Sequence, residues 1–396
     1  MNNPKKDILF IMNNLNCGGA EKALVSLFQL VDYSRYNIDL LLIKKEGIFL
    51  NQVPSEVTIL NEPLGFSYFD MSIKKAIYQN FIKLNFKIIY NRICAGFIFK
   101  NEKNRALSEQ KNWKYIRSCT NKLEKKYDVA IGFLEKTPIY YCVDKVNANT
   151  KIGFIHNDYN QLGMDSEIDF PYFNKLNKLV TVSEECKLVL EEIFPLLKSK
   201  LFVLNNIISA QTINNLSKEP IKLNENGLTL MSVGRLNYQK GYDLALDSCE
   251  ILVKKGVVFK WYIIGEGEER NFIEKKIIEK KLQDYFILLG VKDNPYAYLA
   301  KADIFVHTAR FEGYGIVIAE AKIIGLPMVI TDFNIAKSHI DHGKNGLIAK
   351  LNSNSISNNL LYLIDNKLIR EEFSSALLAE KLDTQSEIVK FYDIIN

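Results

Sequence analysis

Soft metal ligands are scarce in this chain. Its 396 residues hold six cysteines and four histidines, and no two cysteines form a C-x-x-C pair. Cys17, Cys94, Cys119, Cys142, Cys186 and Cys249 are scattered. Neither a zinc site nor a disulfide framework is predicted, and the expected state is a set of buried thiols in a reducing compartment. No run of about 18 apolar residues occurs, so no membrane-spanning helix is expected. Met1 to Asp7 is polar and leads straight into an apolar run, so no leader peptide is expected and a cytoplasmic chain is predicted. Strong charge of one sign is also missing. The net charge is +5, too modest to point to nucleic acid by itself.

What the chain does have is 47% apolar and 24% charged residues over a length that suits two domains. Apolar runs alternate with helical stretches throughout. Strands are predicted at Ile8–Met12, Ile38–Ile43, Val129–Phe133, Lys151–Ile155, Leu179–Val182 and Leu201–Leu204. A polar stretch from Asn205 to Asn226 reads as a linker. A second series follows at Leu228–Val233, Phe259–Ile264, Phe286–Leu288, Ile304–His307 and Met328–Thr331. Strands separated by helices imply parallel sheets with crossover connections. The predicted fold is α/β, two Rossmann-like domains facing across a cleft. The expected boundaries are 1–205, a linker at 206–227, a second domain at 228–380, and a last segment at 381–396. In that last segment Ile388, Val389, Tyr392 and Ile395 follow helical spacing.

Ligands in such folds sit at the carboxyl ends of strands, so the loops there carry the functional information. After the first strand, Gly18-Gly19-Ala20-Glu21 opens a helix. Paired glycines let backbone N–H groups approach an anion, and a tight strand-to-helix turn explains the pair equally well. The stretch matches neither the dinucleotide fingerprint nor the P-loop pattern. Gly234 and Arg235, then Lys240, follow the first strand of the second series, and two cations there suit a diphosphate. Phe311-Glu312-Gly313-Tyr314-Gly315 precedes a helix predicted from Ile316 to Ile324, closed by Gly325 and Pro327. Glu312 and Glu320 are read as two separate hydroxyl-binding carboxylates, because Glu312 lies in the loop and Glu320 in the helix. His156 ends the strand Lys151–Ile155, where either a structural or a substrate-facing role is open.

Glu312 to Glu320 resembles the E-x7-E motif of family 4 retaining glycosyltransferases of the GT-B fold. The SVGRL stretch with Lys240, IIGEGEER at Ile263 to Arg270, and Ala302 to Ala321 are similar to the same family. The Gly18–Glu21 stretch looks like the start of polysaccharide-assembly members. The resemblance implies that Arg235 and Lys240 bind the donor diphosphate. Glu312, with N–H groups near Gly313, Tyr314, Gly315 and Ile316, would hold the sugar hydroxyls, and Glu320 the ribose. Gly18 and Gly19 would lie under the diphosphate, Gly234 beside it, Val291 near the base and His156 near the transferred sugar. It further implies an acceptor-binding first domain, a nucleotide-sugar-binding second domain and a last helix that crosses back to the first. No cofactor and no metal are expected, since the nucleotide-sugar is a substrate; a UDP-sugar is favoured. One departure stands at His339, where similar sequences carry Glu. The competing expectation is a non-catalytic scaffold that binds a nucleotide-sugar in a glycan assembly complex.

Ser72 to Arg117 holds eleven Lys and Arg residues against Glu102 and Glu109, interleaved with aromatic and aliphatic residues. Such a segment suits helices lying on an anionic membrane surface, and solvated helices with buried apolar faces are the plain alternative. No recognition motif for nucleic acid accompanies the charge. With the resemblance, the expectation is a lipid-linked glycan acceptor in bacterial cell-surface glycan synthesis, met by a peripheral enzyme on the inner face of the membrane.

Overall fold

A computed structural model describes residues 4–16, 18–223 and 227–396. Cys17, the first three residues and the end of the expected linker, 224–226, lie outside the described residues. The chain divides into two compact units. The first takes the N-terminal residues through Asn16, then Ala20–Asn205 and Ser386–Asn396. The second takes Asn206–Gln385 together with Gly18 and Gly19.

The first unit is built on seven parallel strands: β1 (Lys6–Met12), β2 (Tyr36–Leu42), β3 (Val57–Ile59), β4 (Lys126–Gly132), β5 (Asn147–Ile155), β6 (Lys178–Thr181) and β7 (Leu201–Val203). Their order across the sheet is β3-β2-β1-β4-β5-β6-β7. The second unit has six parallel strands: β8 (Leu228–Val233), β9 (Phe259–Ile264), β10 (Phe286–Gly290), β11 (Ile304–His307), β12 (Met328–Thr331) and β13 (Leu347–Ala349). Their order is β10-β9-β8-β11-β12-β13. Both sheets reverse strand order once, between β1 and β4 and between β8 and β11. Each therefore has a switch point where neighbouring loops diverge and leave room for a ligand.

The apolar runs reflect burial on both faces of a parallel sheet: Ile8 through Met12 is fully buried. Trp113 and Tyr140 fill the first core, and Trp261 and Phe286 the second. The edge strands β3 and β13 were not expected, since three residues are too few to show a pattern. The expected linker is not extended chain throughout. It contains the helix Ala210–Leu216, capped by Ser209 and anchored by the buried Ile213.

The last helix, Glu387–Ile395, belongs to the first unit. Phe391 stacks on Phe10 with ring centroids 6.1 Å apart, and Tyr392 on Tyr36 at 5.5 Å. The predicted apolar face is corrected here: Val389 points outward at 60% exposure, while Phe391 and Ile394 take the buried side.

Three helices, Ile73–Ile82, Phe86–Asn101 and Arg105–Cys119, make up the basic segment. The third buries Trp113 and Ile116 in the core, as a solvated amphipathic helix does. The first two are reversed. Ala76, Asn80, Asn91, Arg92 and Ala95 face inward, while Tyr78, Phe81, Phe86, Tyr90 and Phe97 are 60–70% exposed. Arg92 leaves the group of surface cations, because its guanidinium donates to the carbonyls of Tyr68 (2.9 Å) and Met71 (2.7 Å).

Candidate functional site

The loops after β8 and β11 flank the switch point of the second sheet. After β8 the Gly234 N–H continues the sheet by donating to the Ile264 carbonyl (3.0 Å), which leaves Gly234 a close neighbour of Lys240 rather than an N–H donor to a ligand. Arg235 is half-buried in the next position. A single 3-10 turn, Tyr238–Lys240, is capped by Asn237, whose side chain accepts the Lys240 N–H. The Lys240 carbonyl accepts the Thr308 hydroxyl at 2.9 Å. Gly241 follows with φ +63°, and a Cβ there would lie 2.2 Å from the Thr308 carbonyl oxygen, so only glycine fits this junction.

These constraints deliver the Lys240 ammonium to the Glu312 carboxylate, with which it forms a buried ion pair. His307, the last residue of β11, places Nε2 2.9 Å from the same carboxylate oxygen. Burial pushes the Glu312 carboxyl upward, but Lys240 and His307 outweigh it and hold the pKa down to about 2. Burial, aided by Lys240, pushes His307 below the usual histidine range against the pull of Glu312. A neutral imidazole facing a carboxylate must donate, so its proton is on Nε2. His307 was not singled out from the sequence, because a strand-end histidine five positions before a glutamate carries no pattern.

Arg310 was missed as well. Its guanidinium grips Asp243 with two hydrogen bonds, at 3.0 and 2.6 Å, and lies over the Tyr238 ring at 4.1 Å. The Arg310 N–H donates to Gln239 (2.7 Å), and the Gln239 side chain donates to the Phe311 carbonyl (2.9 Å). The lysine loop and the glutamate loop are thereby tied into one body.

Gly315, at φ +70°, turns the chain into the helix Ile316–Ile323. A helix start leaves its first N–H groups without intrahelical acceptors, so the Gly313–Ile316 stretch is suited to oxygen ligands. His339 supports this loop from behind: its Nε2 donates to the Tyr314 carbonyl at 2.5 Å, and burial pushes its pKa down to about 4. The residue that departs from the resembling sequences thus acts on loop geometry here. Within the helix Glu320 is buried and accepts the Tyr296 hydroxyl at 2.9 Å. Tyr296 lies on the helix Pro295–Leu299, whose N-cap is Asn294 and whose first residue is Pro295. Val291, half-buried just past β10, sits in the loop leading to that cap.

The helix Gly19–Phe28 starts at Gly19, directly after Gly18. His156 follows β5, buried, with neither ring nitrogen hydrogen-bonded. Burial pushes its pKa down to about 4. Among the described residues no group of His, Cys, Asp or Glu side chains could hold a metal ion, and no helix is long and apolar enough to cross a membrane.

Residues 214–377 match the family model described as glycosyl transferases group 1. All of the Lys240–Glu312–His307 cluster and the Glu320 contact fall inside this matched stretch. Among curated relatives, a poly(ribitol-phosphate) alpha-N-acetylglucosaminyltransferase of Staphylococcus aureus is 28% identical over 228 residues, 56% of this chain and 44% of that one. An N-acetylgalactosamine-N,N'-diacetylbacillosaminyl-diphospho-undecaprenol 4-alpha-N-acetylgalactosaminyltransferase of Campylobacter jejuni is 28% identical over 184 residues, 46% of this chain and 49% of that one. The chain thus spans about half the length of these relatives. Among solved structures, Anabaena HepE in complex with UDP and glucose aligns over 98% of both chains at 15% identity, with a TM-score of 0.69. The fold is GT-B, with two parallel-sheet α/β domains.

Proposed function

We propose that this chain is a retaining, metal-independent glycosyltransferase that moves a sugar from a nucleotide donor, favouring UDP-sugars, to a lipid-linked glycan in bacterial cell-surface glycan synthesis. The observation that carries the reading is the Lys240–Glu312–His307 cluster at the switch point of the family-matched domain. An ammonium has three N–H donors and Glu312 engages one, so Lys240 can still meet a diphosphate. With Arg235 it would neutralise the departing phosphate. The N–H groups of Gly313 to Ile316 would hold sugar hydroxyls, Glu320 the ribose and Val291 the base, with Gly18 and Gly19 close to the phosphates. A donor phosphate oxygen takes the acceptor proton in this scheme, so no protein nucleophile is needed and catalysis comes from positioning and electrostatics. HepE was solved with UDP and glucose, which supports the donor class. The lipid-linked acceptor in the Campylobacter relative's name supports the acceptor class.

The membrane assignment for Ser72–Arg117 draws support from its first two helices. Their outward aromatic residues stand among Lys74, Lys75, Lys83, Lys87 and Lys100, all exposed. Apolar insertion and attraction to anionic lipid act together on such a surface.

The test is nucleoside diphosphate release from UDP-, GDP- and ADP-sugars with membrane extract and no added metal. Release from one donor, lowered about 10²-fold or more in Lys240→Ala and in Glu312→Ala, is the expected result. No release from any donor and no nucleotide binding by the wild type would move the assignment to a binding scaffold.

A further inference from the structure

The proposed chemistry gives Lys240 and Glu312 tasks and leaves His307 without one. The His307 side chain is buried at the end of β11, where it pairs in register with Ile330 of β12. Its ring stacks on Phe305 at 6.0 Å and meets Phe333 edge-on at 5.9 Å, and its carbonyl accepts the Thr331 hydroxyl at 3.3 Å. A ring confined by its strand and by two aromatic neighbours can present Nε2 at one place only, 2.9 Å from Glu312 Oε1.

Lys240 meets the same oxygen from another element, the turn after β8. The two donors differ in freedom. A lysine ammonium rides on a flexible four-carbon stem and is drawn toward a diphosphate, whereas the imidazole is held by its strand. A diphosphate beside Lys240 also brings negative charge toward Glu312. Burial and like charge both push a carboxyl toward its neutral form, and a hydrogen bond to the anion opposes them. When one partner of a buried ion pair is drawn off, the remaining charge is left uncompensated at a cost of several kcal/mol.

We infer that His307 is the positioning residue for Glu312: it holds the carboxylate in place for a hydroxyl of the donor sugar while the diphosphate draws on Lys240. This rests on the nucleotide-sugar reading above, and all three residues belong to the second unit. His307 itself touches no substrate and acts through Oε1 of Glu312.

The experiment uses the full chain and combines turnover, nucleotide affinity and imidazole spectroscopy. Donor turnover and affinity for the matching nucleoside diphosphate (UDP for a UDP-sugar) are measured for His307→Leu, His307→Asn and His307→Gln. His307→Leu keeps an apolar filling but no donor, and kcat should fall about 10-fold while the affinity for the diphosphate holds. His307→Gln places an amide N–H where Nε2 stood and should recover most of the loss; His307→Asn places it elsewhere and should not. The Glu312→Ala/His307→Leu double variant should be no worse than Glu312→Ala, since one residue acts through the other. In ¹⁵N–¹H spectra the His307 Nε2–H signal, assigned by its absence in His307→Gln, should move downfield when the diphosphate is added, because Glu312 becomes the stronger acceptor as Lys240 is shared. Losses that multiply in the double variant, diphosphate affinity that falls together with turnover, or a signal that the diphosphate leaves unmoved would each overturn the inference alone. A wild type that binds none of UDP, GDP and ADP would instead bring down the nucleotide-sugar reading, and the inference with it.

Discussion

His156 and His339, with His307 lowered in the same direction by burial, are residues at which pH should act on this chain. Burial depresses both to about 4. The unfolded chain therefore binds more protons between the ordinary histidine pKa of about 6.5 and 4, and the stability each neutral ring contributes is present above that range. It is lost as pH falls toward 4, by at most about 3 kcal/mol per ring. Glu312 behaves differently: its pKa is lowered to about 2, so its contribution is present above the unfolded carboxylate value and disappears only as pH falls through about 2. Urea midpoints at pH 7.5 and 4.5 would show the histidine loss. His156→Gln should flatten the dependence of the first unit and His339→Gln that of the second; an unchanged slope in either would assign the acid sensitivity elsewhere. At this scale the sequence marked Glu312, Glu320, Arg235 and Lys240 by type and by position after strands. It gave no sign of Tyr296, whose partner Glu320 lies 24 positions away, or of His307, whose five-residue spacing from Glu312 matches no pattern.

Elements explain how the site keeps its shape. The Arg310–Asp243 fork and the Tyr238 ring bind the Lys240 turn to the Glu312 loop. Arg310→Ala should therefore lower turnover by roughly 10-fold or more without removing any group assigned to the donor, since small misplacements are expensive in rate. Arg310→Lys should recover little, because an ammonium cannot make the planar fork. Unaltered kinetics in both variants would reduce the fork to a surface contact. The helices Ile73–Ile82 and Phe86–Asn101 make the second prediction at this scale. Phe81→Ser with Phe86→Ser should weaken binding to anionic vesicles even in high salt, while Lys83→Gln with Lys87→Gln should weaken it mainly at low salt. Vesicle sedimentation that is the same for both double variants and the wild type would remove the membrane assignment. The sequence showed the alternation of apolar and basic residues here, but which side faces inward was not in the pattern. Asn80, Asn91 and Arg92 occupy the inner face and donate to local carbonyls, those of Ala76, Lys87, Tyr68 and Met71, while Asn80 Oδ1 and Arg92 Nη1 stay buried without a partner.

Across the whole molecule the first unit is closed by the last eleven residues of the chain. Phe391 lies against Phe10 in the middle of its core, so Phe391→Ala should cost about 3–5 kcal/mol in the first unit's unfolding transition. Tyr392→Phe removes the acceptor of the Asp32 N–H and should cost about 1 kcal/mol. Calorimetry that resolves two transitions would show these losses in one of them, and equal shifts in both would contradict the division into units. The sequence by itself determined the two series of parallel strands. β8, β9, β11 and β12 run between the residues their apolar stretches predict, since strands buried on both faces keep near-continuous apolar runs. It also determined the glycine-marked loops at the strand ends. Only the tertiary structure decided the strand order, which helix faces are buried, and which cations meet which carboxylates. Those depend on contacts between residues distant along the chain, where sheet register and burial, rather than local composition, choose each partner.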